Sequence, residues 1–275
     1  MDSLKLAVVQ LNSGNDLAAN VVALEQSLSA AVATGARFIA TPENTGLLGA
    51  NTEDTLSKAQ PEESHPTLAC ARAFARKNSV WILLGSIHVR ADAERCRNRS
   101  YLIGADGAIV AYYDKIHMFD AKLPGGDYRE SATFVPGERA VVADTPWGKL
   151  GMTICYDVRF AHLYRKLAQA GATMLSVPAA FTVPTGQAHW HVLLRARAIE
   201  HGCYVFAPAQ VGLHANGRRT YGHSVIIAPW GEVLADAGDA GPGIITADID
   251  PEAVMKAREA LPSLRHDRAF TVKSE

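Results

Sequence analysis

Along almost the whole chain, short apolar runs rich in β-branched residues alternate with stretches whose apolar residues recur at helical spacing. This alternation constrains the fold more than any other feature. A run that is apolar at every position needs cover on both faces of its sheet, and amphipathic helices supply the outer cover. Leu4–Gln10 is the first such run. Leu17, Val21, Leu24, Leu28 and Val32 then mark a helix over residues 16–33, with Gly35 as its expected C-terminal cap. Strands are expected over 37–40 and 80–89 and a helix over 65–77. Asp106-Gly107 is expected to centre a hairpin within residues 99–114. Further on, strands are expected over 149–154, 173–177, 203–207, 224–228, 232–235 and 244–249. Helices are expected over 160–170, 187–201 and 251–260, the last opening on Pro251. Residues 115–138, with Pro124-Gly125-Gly126 and Pro136-Gly137, have no clear period and read as a long irregular segment of functional kind.

Composition narrows the class. With 275 residues, 48% hydrophobic and 20% charged, the chain is neither a disordered polar polymer nor a small cross-linked scaffold. No repeat or linker divides it, so one domain over 1–260 and a tail over 261–275 are expected. A net charge of -1 gives no basic surplus for nucleic acid. No stretch offers the ~18 uninterrupted apolar residues of a membrane span, and the N-terminus has no secretory pattern. Cys70, Cys96, Cys155 and Cys203 lie far apart with no CxxC pair, which reads as reduced thiols and a cytoplasmic location.

Three positions draw chemical interest. Cys155 stands where the apolar run Leu150–Ile154 gives way to a helix, a corner that can expose a thiol beside free backbone N–H groups. Glu43 follows the strand at 37–40, and Lys115 closes the hairpin. Taken singly, Cys155 reads equally as an inert buried thiol, Glu43 as a solvated turn carboxylate and Lys115 as an exposed strand-end cation. His189 and His191, two residues apart on a helix, face different sides and suggest no metal site, and no GxGxxG or P-loop pattern suggests a nucleotide.

The motifs taken together are more specific. Pro42-Glu43-Asn44, Lys115-Ile116-His117-Met118-Phe119-Asp120, Glu130-Ser131 ahead of Pro136-Gly137, and Cys155-Tyr156-Asp157-Val158-Arg159-Phe160 occur in order. Pro178–Thr182, Thr185-Gly186, Ala188-His189-Trp190, Leu194–Glu200, Tyr221-Gly222-His223-Ser224 and Pro229-Trp230-Gly231 follow. In this series, over roughly residues 4–250, the chain resembles the carbon–nitrogen hydrolases of the nitrilase superfamily, and most of all its branch of deaminated-glutathione amidases and related ω-amidases. The resemblance implies an α/β fold, a four-layer α-β-β-α sandwich with two mixed β-sheets covered by helices, commonly paired as a homodimer or higher homo-oligomer. It implies no metal and no cofactor. It assigns Glu43 as general base, Lys115 as catalytic lysine, Cys155 as nucleophile and Glu130 as support for the lysine.

Elementary chemistry agrees with that assignment. An amide carbon is a poor electrophile, so a thiol with a base to take its proton and a cation to hold the oxyanion is a sensible set, with the Tyr156 N–H as second oxyanion donor. The expected partner is a small amide carrying a carboxylate, hydrolysed to acid and ammonia through a thioester, with no nucleic acid or membrane involved. Arg159, Thr182 and Trp190 are the candidate substrate contacts, although Trp190, like Trp230, reads more readily as a core or dimer contact. For Arg159 an ion pair with Asp157 stays open, and for Arg195 and Arg197 a structural pair with Glu200 is favoured. Related activities (a nitrilase, or an N-carbamoyl amino-acid hydrolase) and a non-catalytic interaction protein of the same fold are the alternatives. One position departs from the branch: His191 stands where a glutamate usually follows the Ala-His-Trp motif.

Overall fold

The computed structural model describes residues 3–123 and 126–274. Pro124 and Gly125, within the segment read as irregular, lie outside them. In the first half, β1 (Leu4–Gln10), α1 (Leu17–Ala33), β2 (Phe38–Ala40), α2 (Thr52–Lys58), α3 (Pro66–Asn78), β3 (Trp81–Arg90), β4 (Cys96–Ile103) and β5 (Ile109–Asp114) follow one another. A short ribbon, β6 (Asp120–Leu123) with β7 (Gly126–Arg129), leads to β8 (Val141–Thr145) and β9 (Gly148–Met152). Then come α4 (Ala161–Gln169), β10 (Met174–Ser176), α5 (Val183–His201), β11 (Tyr204–Ala207), β12 (Val211–Leu213), β13 (Arg219–Tyr221), β14 (Val225–Ile227), β15 (Val233–Asp236), β16 (Gly243–Ile249) and α6 (Pro251–Ala260).

Two six-stranded mixed sheets result, ordered β16-β1-β2-β3-β4-β5 and β15-β14-β11-β10-β9-β8. Each has three parallel strands at its centre, β1-β2-β3 in one and β9-β10-β11 in the other, with antiparallel neighbours outside. The unbroken apolar run of β1 now has its reason. Leu4, Leu6 and Val8 face the second sheet, while Ala7 and Val9 face α1 and α3. Phe38 of β2 crosses between the sheets to meet Phe206 of β11 edge-on at 5.7 Å. Deleting such a buried ring typically costs about 3–5 kcal/mol. Leu24, Leu28 and Ala31 of α1 with Leu68, Ala71 and Phe74 of α3 cover one outer face. Leu163, Tyr164 and Leu167 of α4 with Trp190, Leu194 and Ala198 of α5 cover the other. The four expected layers are therefore present. No helix among the described residues is long and apolar enough to cross a membrane.

The irregular segment at 115–138 is more ordered than its sequence suggests. Its strands are half-exposed and only four residues each, so the alternation in Asp120–Leu123 is too short to mark a strand. Helix α2 was equally hidden: seven mostly polar residues are held by Asn51, whose side chain accepts the Asp54 N–H at 2.8 Å. Helix α5 begins at Val183, four residues before its expected start, because Pro184 sits in its first turn, where a missing N–H costs nothing.

Candidate active site

The corner after β9 is built by a buried carboxylate. Cys155 adopts φ +51°, a left-handed conformation that costs a non-glycine residue about 1–3 kcal/mol unless its surroundings enforce it. The Cys155 N–H donates to the Pro178 carbonyl at 2.9 Å. Two residues on, Asp157 is 0% exposed and accepts four hydrogen bonds. The Ile154 N–H (2.9 Å) and Tyr113 hydroxyl (2.7 Å) reach Oδ2, and the His117 N–H (3.1 Å) and Nδ1 (2.7 Å) reach Oδ1. Asp157 thus ties the corner to the end of β5, and no ion pair with Arg159 forms. The His117 ring stacks on Phe160 at 3.5 Å.

Glu43 lies three residues past β2, where β3 approaches unusually closely. A Cβ on Gly85 would stand 1.9 Å from the Thr41 carbonyl oxygen, so only glycine lets the strand come this near. The Glu43 carboxylate is buried. Its Oε1 receives Lys115 Nζ at 2.9 Å and Asn98 Nδ2 at 2.9 Å, and its Oε2 receives the Ala180 N–H at 2.8 Å. Lys115, 2% exposed, also donates to both Glu130 oxygens at 2.8 Å. Glu130 is oriented by the Phe119 N–H at 2.6 Å and by Asn98 at 3.3 Å. One ammonium therefore sits between two carboxylates, with a single amide bridging them.

The electrostatics follow from burial and these pairings. Burial works against the Lys115 cation, but the Glu130 and Glu43 carboxylates outweigh it and hold the amine well above its usual range. Burial raises the Glu43 carboxyl, but the charge and hydrogen bond of Lys115 turn the net displacement downward. The Cys155 thiol is pushed well above its ordinary value by burial and by the Glu43 charge, with Lys115 opposing. These directions favour a neutral Cys155 thiol, an ionised Glu43 carboxylate and a charged Lys115.

Glu43, Lys115, Glu130 and Cys155 all line one hollow of about 250 Å³. Phe119, Tyr128, Arg129 and Arg218 are among its other walls, and the Arg218 guanidinium lies 5.4 Å from the centre of the Tyr128 ring. A narrow recess beside Cys155 is lined by Tyr156, Arg159, Phe181, Thr182 and Thr185. The Thr182 hydroxyl pairs with that of Thr185 at 2.8 Å. Arg159 lies near the Tyr156 and Phe181 rings and 3.3 Å from His189 Nδ1. Trp190 takes the core position that the sequence favoured, and not the substrate contact. It is fully buried, packs on Phe181 and donates its indole N–H to the His223 carbonyl at 2.8 Å, so it lines neither the hollow nor the recess. Arg197 makes the expected Glu200 pair at 2.8 Å and also donates to the Val158 carbonyl, whereas Arg195 donates to the Gly231 carbonyl. Asn98 and Arg218 escaped the sequence reading. Asn98 had left a faint signal, an amide between two arginines at the buried position of the alternation in β4. Arg218, beside the Asn216-Gly217 turn, had left none.

Comparison with known proteins gives a consistent result. The carbon-nitrogen hydrolase family profile matches residues 5–259. A deaminated glutathione amidase of Yersinia enterocolitica is 41% identical over 272 residues, which is 98% of this chain and 94% of that protein. One from Synechocystis is 43% identical over 265 residues, covering 94% and 96%. Among solved structures, Saccharomyces cerevisiae Nit3, a member of branch 10 of the nitrilase superfamily, superposes with a TM-score of 0.85 at 30% identity, covering 94% of each chain.

Proposed function

The chain belongs to the carbon–nitrogen hydrolase family, and from that premise we propose that it is a cysteine-dependent amidase acting on a small linear amide that carries a carboxylate. Deaminated glutathione is the leading compound, by the names of the two relatives. The observation that carries this reading is the convergence of Cys155, Glu43, Lys115 and Glu130 on one hollow.

In this mechanism Glu43 takes the Cys155 proton as sulfur attacks the amide carbon. Lys115 and the Tyr156 N–H hold the oxyanion, and Glu130 fixes Lys115 between the carboxylates. The proton on Glu43 passes to the amide nitrogen, ammonia leaves and a thioester remains on Cys155. Water then gives its proton to Glu43 and attacks the thioester. The acid departs as that proton returns to sulfur, restoring the starting state.

Arg218 and Arg129, on the wide side of the hollow, and Arg159 with Thr182, in the recess, are the groups offered to the substrate. We place the carboxylate on Arg218. Its guanidinium donates to the Ala180 carbonyl, but its Nε is buried with no hydrogen-bond partner and it borders both the hollow and the recess. The same reading takes residues 1–260 as one catalytic unit in the cytoplasm, with the four cysteines free. It also pairs two chains through α5, where Val192 and Ile199, seven residues apart, are exposed beside Trp230. Light scattering returning a single-chain mass would refute the pairing.

The test is a trap. The Glu43→Gln protein should release no ammonia from the candidate amide, while an activated ester of the same acid, which needs no proton delivered to its leaving group, should leave an acyl mass on the Cys155 peptide. Full steady-state ammonia release by that variant, or an acyl group on another residue, would reject the mechanism. Wild-type ammonia release from the amide, a nitrile and an N-carbamoyl amino acid should rank the amide first.

A further inference from the structure

Away from the hollow, three side chains from separate elements converge. His191 is on α5, His223 lies between β13 and β14, and Asp236 ends β15. His191 Nε2 is 2.7 Å from Asp236 Oδ2, and His223 Nδ1 is 3.0 Å from Oδ1. One ligand atom from each lies within 4.8 Å of the others. None of the three lines the hollow or the recess. We infer that they form a binding site for a divalent transition-metal ion of the zinc class.

The donor set fits. Two imidazole nitrogens and a carboxylate oxygen are ligands zinc takes readily, and three protein ligands leave a fourth position open to solvent. Ligands about 2.0–2.1 Å from a tetrahedral zinc ion stand roughly 3.3 Å apart, so the two distances to Asp236 need to open by only a few tenths of an ångström. The imidazoles need only close on each other.

The ligands are also held from behind. Gly222 and His223 both have positive φ, +73° and +55°. The His223 N–H donates to the Gly238 carbonyl at 2.8 Å, and its own carbonyl receives the Trp190 indole at 2.8 Å. The His223 ring stacks on Tyr221 at 4.4 Å, and the Gly238 N–H orients Asp236 Oδ1 at 2.8 Å. Such outer contacts fix ligand geometry in metal sites. All three ligands are partly exposed, so an ion has an entry path. His191 is the position at which this chain departs from the glutamate of the branch it resembles, and it is the residue that makes the set two imidazoles and one carboxylate. The sequence reading considered only His189 with His191, which lie on different sides of α5 and suggested no metal site, and the partners of His191 lie far along the chain.

The rival reading is a His–Asp–His hydrogen-bond network with no ion. Zinc uptake by the EDTA-stripped full-length protein separates the two, measured by equilibrium dialysis and elemental analysis on wild type, Cys155→Ala, His191→Gln and Asp236→Asn. Cys155→Ala controls for zinc held by the thiol. Wild type and Cys155→Ala should each bind about one ion per chain and gain thermal stability with zinc, as any ligand selective for the folded state requires. His191→Gln, which keeps a hydrogen-bonding side chain at an exposed helical position, should bind at least ~100-fold more weakly and lose the thermal shift, since even outer-sphere changes cost 10–100-fold. Cobalt(II) should give visible ligand-field bands in wild type that His191→Gln lacks. Equal zinc uptake by wild type and His191→Gln, or uptake that disappears with Cys155→Ala, overturns the site. Should Asp236→Asn fail to fold, the His191→Gln comparison decides alone.

Discussion

Replacing Asp157 by asparagine is isosteric, yet the structure makes it costly. Each carboxylate oxygen faces two donors, one of them a backbone N–H that cannot turn away: Ile154 at Oδ2 and His117 at Oδ1. An amide offers one oxygen and one NH₂ group. Whichever way it is flipped, its NH₂ confronts a backbone N–H in a site with no solvent exposure. The other donor on that side adapts, because the Tyr113 hydroxyl rotates or His117 changes tautomer. The cost is one buried unsatisfied donor, about 1–3 kcal/mol, plus the loss of charge assistance in the remaining bonds, so about 2–4 kcal/mol in all. In a chain of this size that lowers Tm by roughly 5–15 °C. Tyr113→Phe, which removes one donor and leaves the carboxylate paired with three, should cost only about 1 kcal/mol. Because Asp157 fixes the backbone on both sides of Cys155, kcat for amide hydrolysis should fall together with stability, and a displacement near 1 Å is worth about 100-fold. Scanning calorimetry, urea titration and ammonia release on the two variants make the check. Asp157→Asn within ~0.5 kcal/mol of wild type, or no more damaging than Tyr113→Phe, would refute the role given to this carboxylate.

Other consequences are as direct. Lys115→Met leaves Glu43 and Glu130 facing each other without their shared cation, so kcat should drop by at least ~10²–10³, with any residual activity shifted to higher pH as the Glu43 carboxyl rises; a variant with wild-type kcat removes Lys115 from the mechanism. Arg218→Gln should raise KM for an acidic amide roughly 10–100-fold while barely changing a neutral one, and equal effects on both would dismiss Arg218 as the carboxylate anchor. His65, His88 and His201 are each held neutral by burial, their values pushed down to about 4. The unfolded chain protonates them near 6.5, so it binds more protons than the native state between those values. Stability should be fully present above about pH 6.5 and fall as pH drops toward 4, with a slope approaching three protons, ~4 kcal/mol per pH unit. A urea midpoint that is flat from pH 7 to 5 would contradict this.

The layered core was legible in the sequence because burial on both faces leaves an unmistakable apolar run, as in Leu4–Gln10, and because amphipathic helices such as α1 announce their spacing. Helix α6 was legible to the residue, since Asp250 caps it and Pro251 opens it. What stayed hidden was held by contacts distant in sequence. The β6–β7 ribbon has only Ala121, Leu123 and Tyr128 on its more buried face, and β12 and β13 are three residues each. Glu43, Lys115, Glu130 and Cys155 were found through ordered motifs, each ambiguous alone. Asn98 and Arg218 enter the site only because the fold brings β4 and the β12–β13 turn to its rim. Trp190 was ambiguous for the opposite reason: it lies within a motif shared with functional neighbours, yet its helical position turns it inward, against Phe181. The convergence of His191 with His223 and Asp236, 32 and 45 residues further along, is a property of packing that no local spacing encodes.

The charges around Cys155 bear on when its proton moves. A cysteine paired with a cation alone rests as thiolate and waits for substrate. Here burial and the Glu43 charge both disfavour a resting thiolate, while Lys115, which opposes them, is divided between two carboxylates. In the proposed mechanism the nucleophile is therefore stored as a thiol beside an ionised base. A thiolate becomes affordable only as the carbonyl oxygen takes on negative charge against Lys115, so proton transfer and carbon–sulfur bond formation belong to one event. Reagents that need a preformed thiolate and offer no oxyanion, such as simple alkyl halides, should then react with Cys155 slowly at pH 7 and faster as pH rises. An amide-bearing electrophile that places its oxygen on Lys115 should react well at neutral pH. Equal, pH-independent alkylation by both classes would mean that the thiolate already exists in the resting enzyme and that Glu43 is not its base.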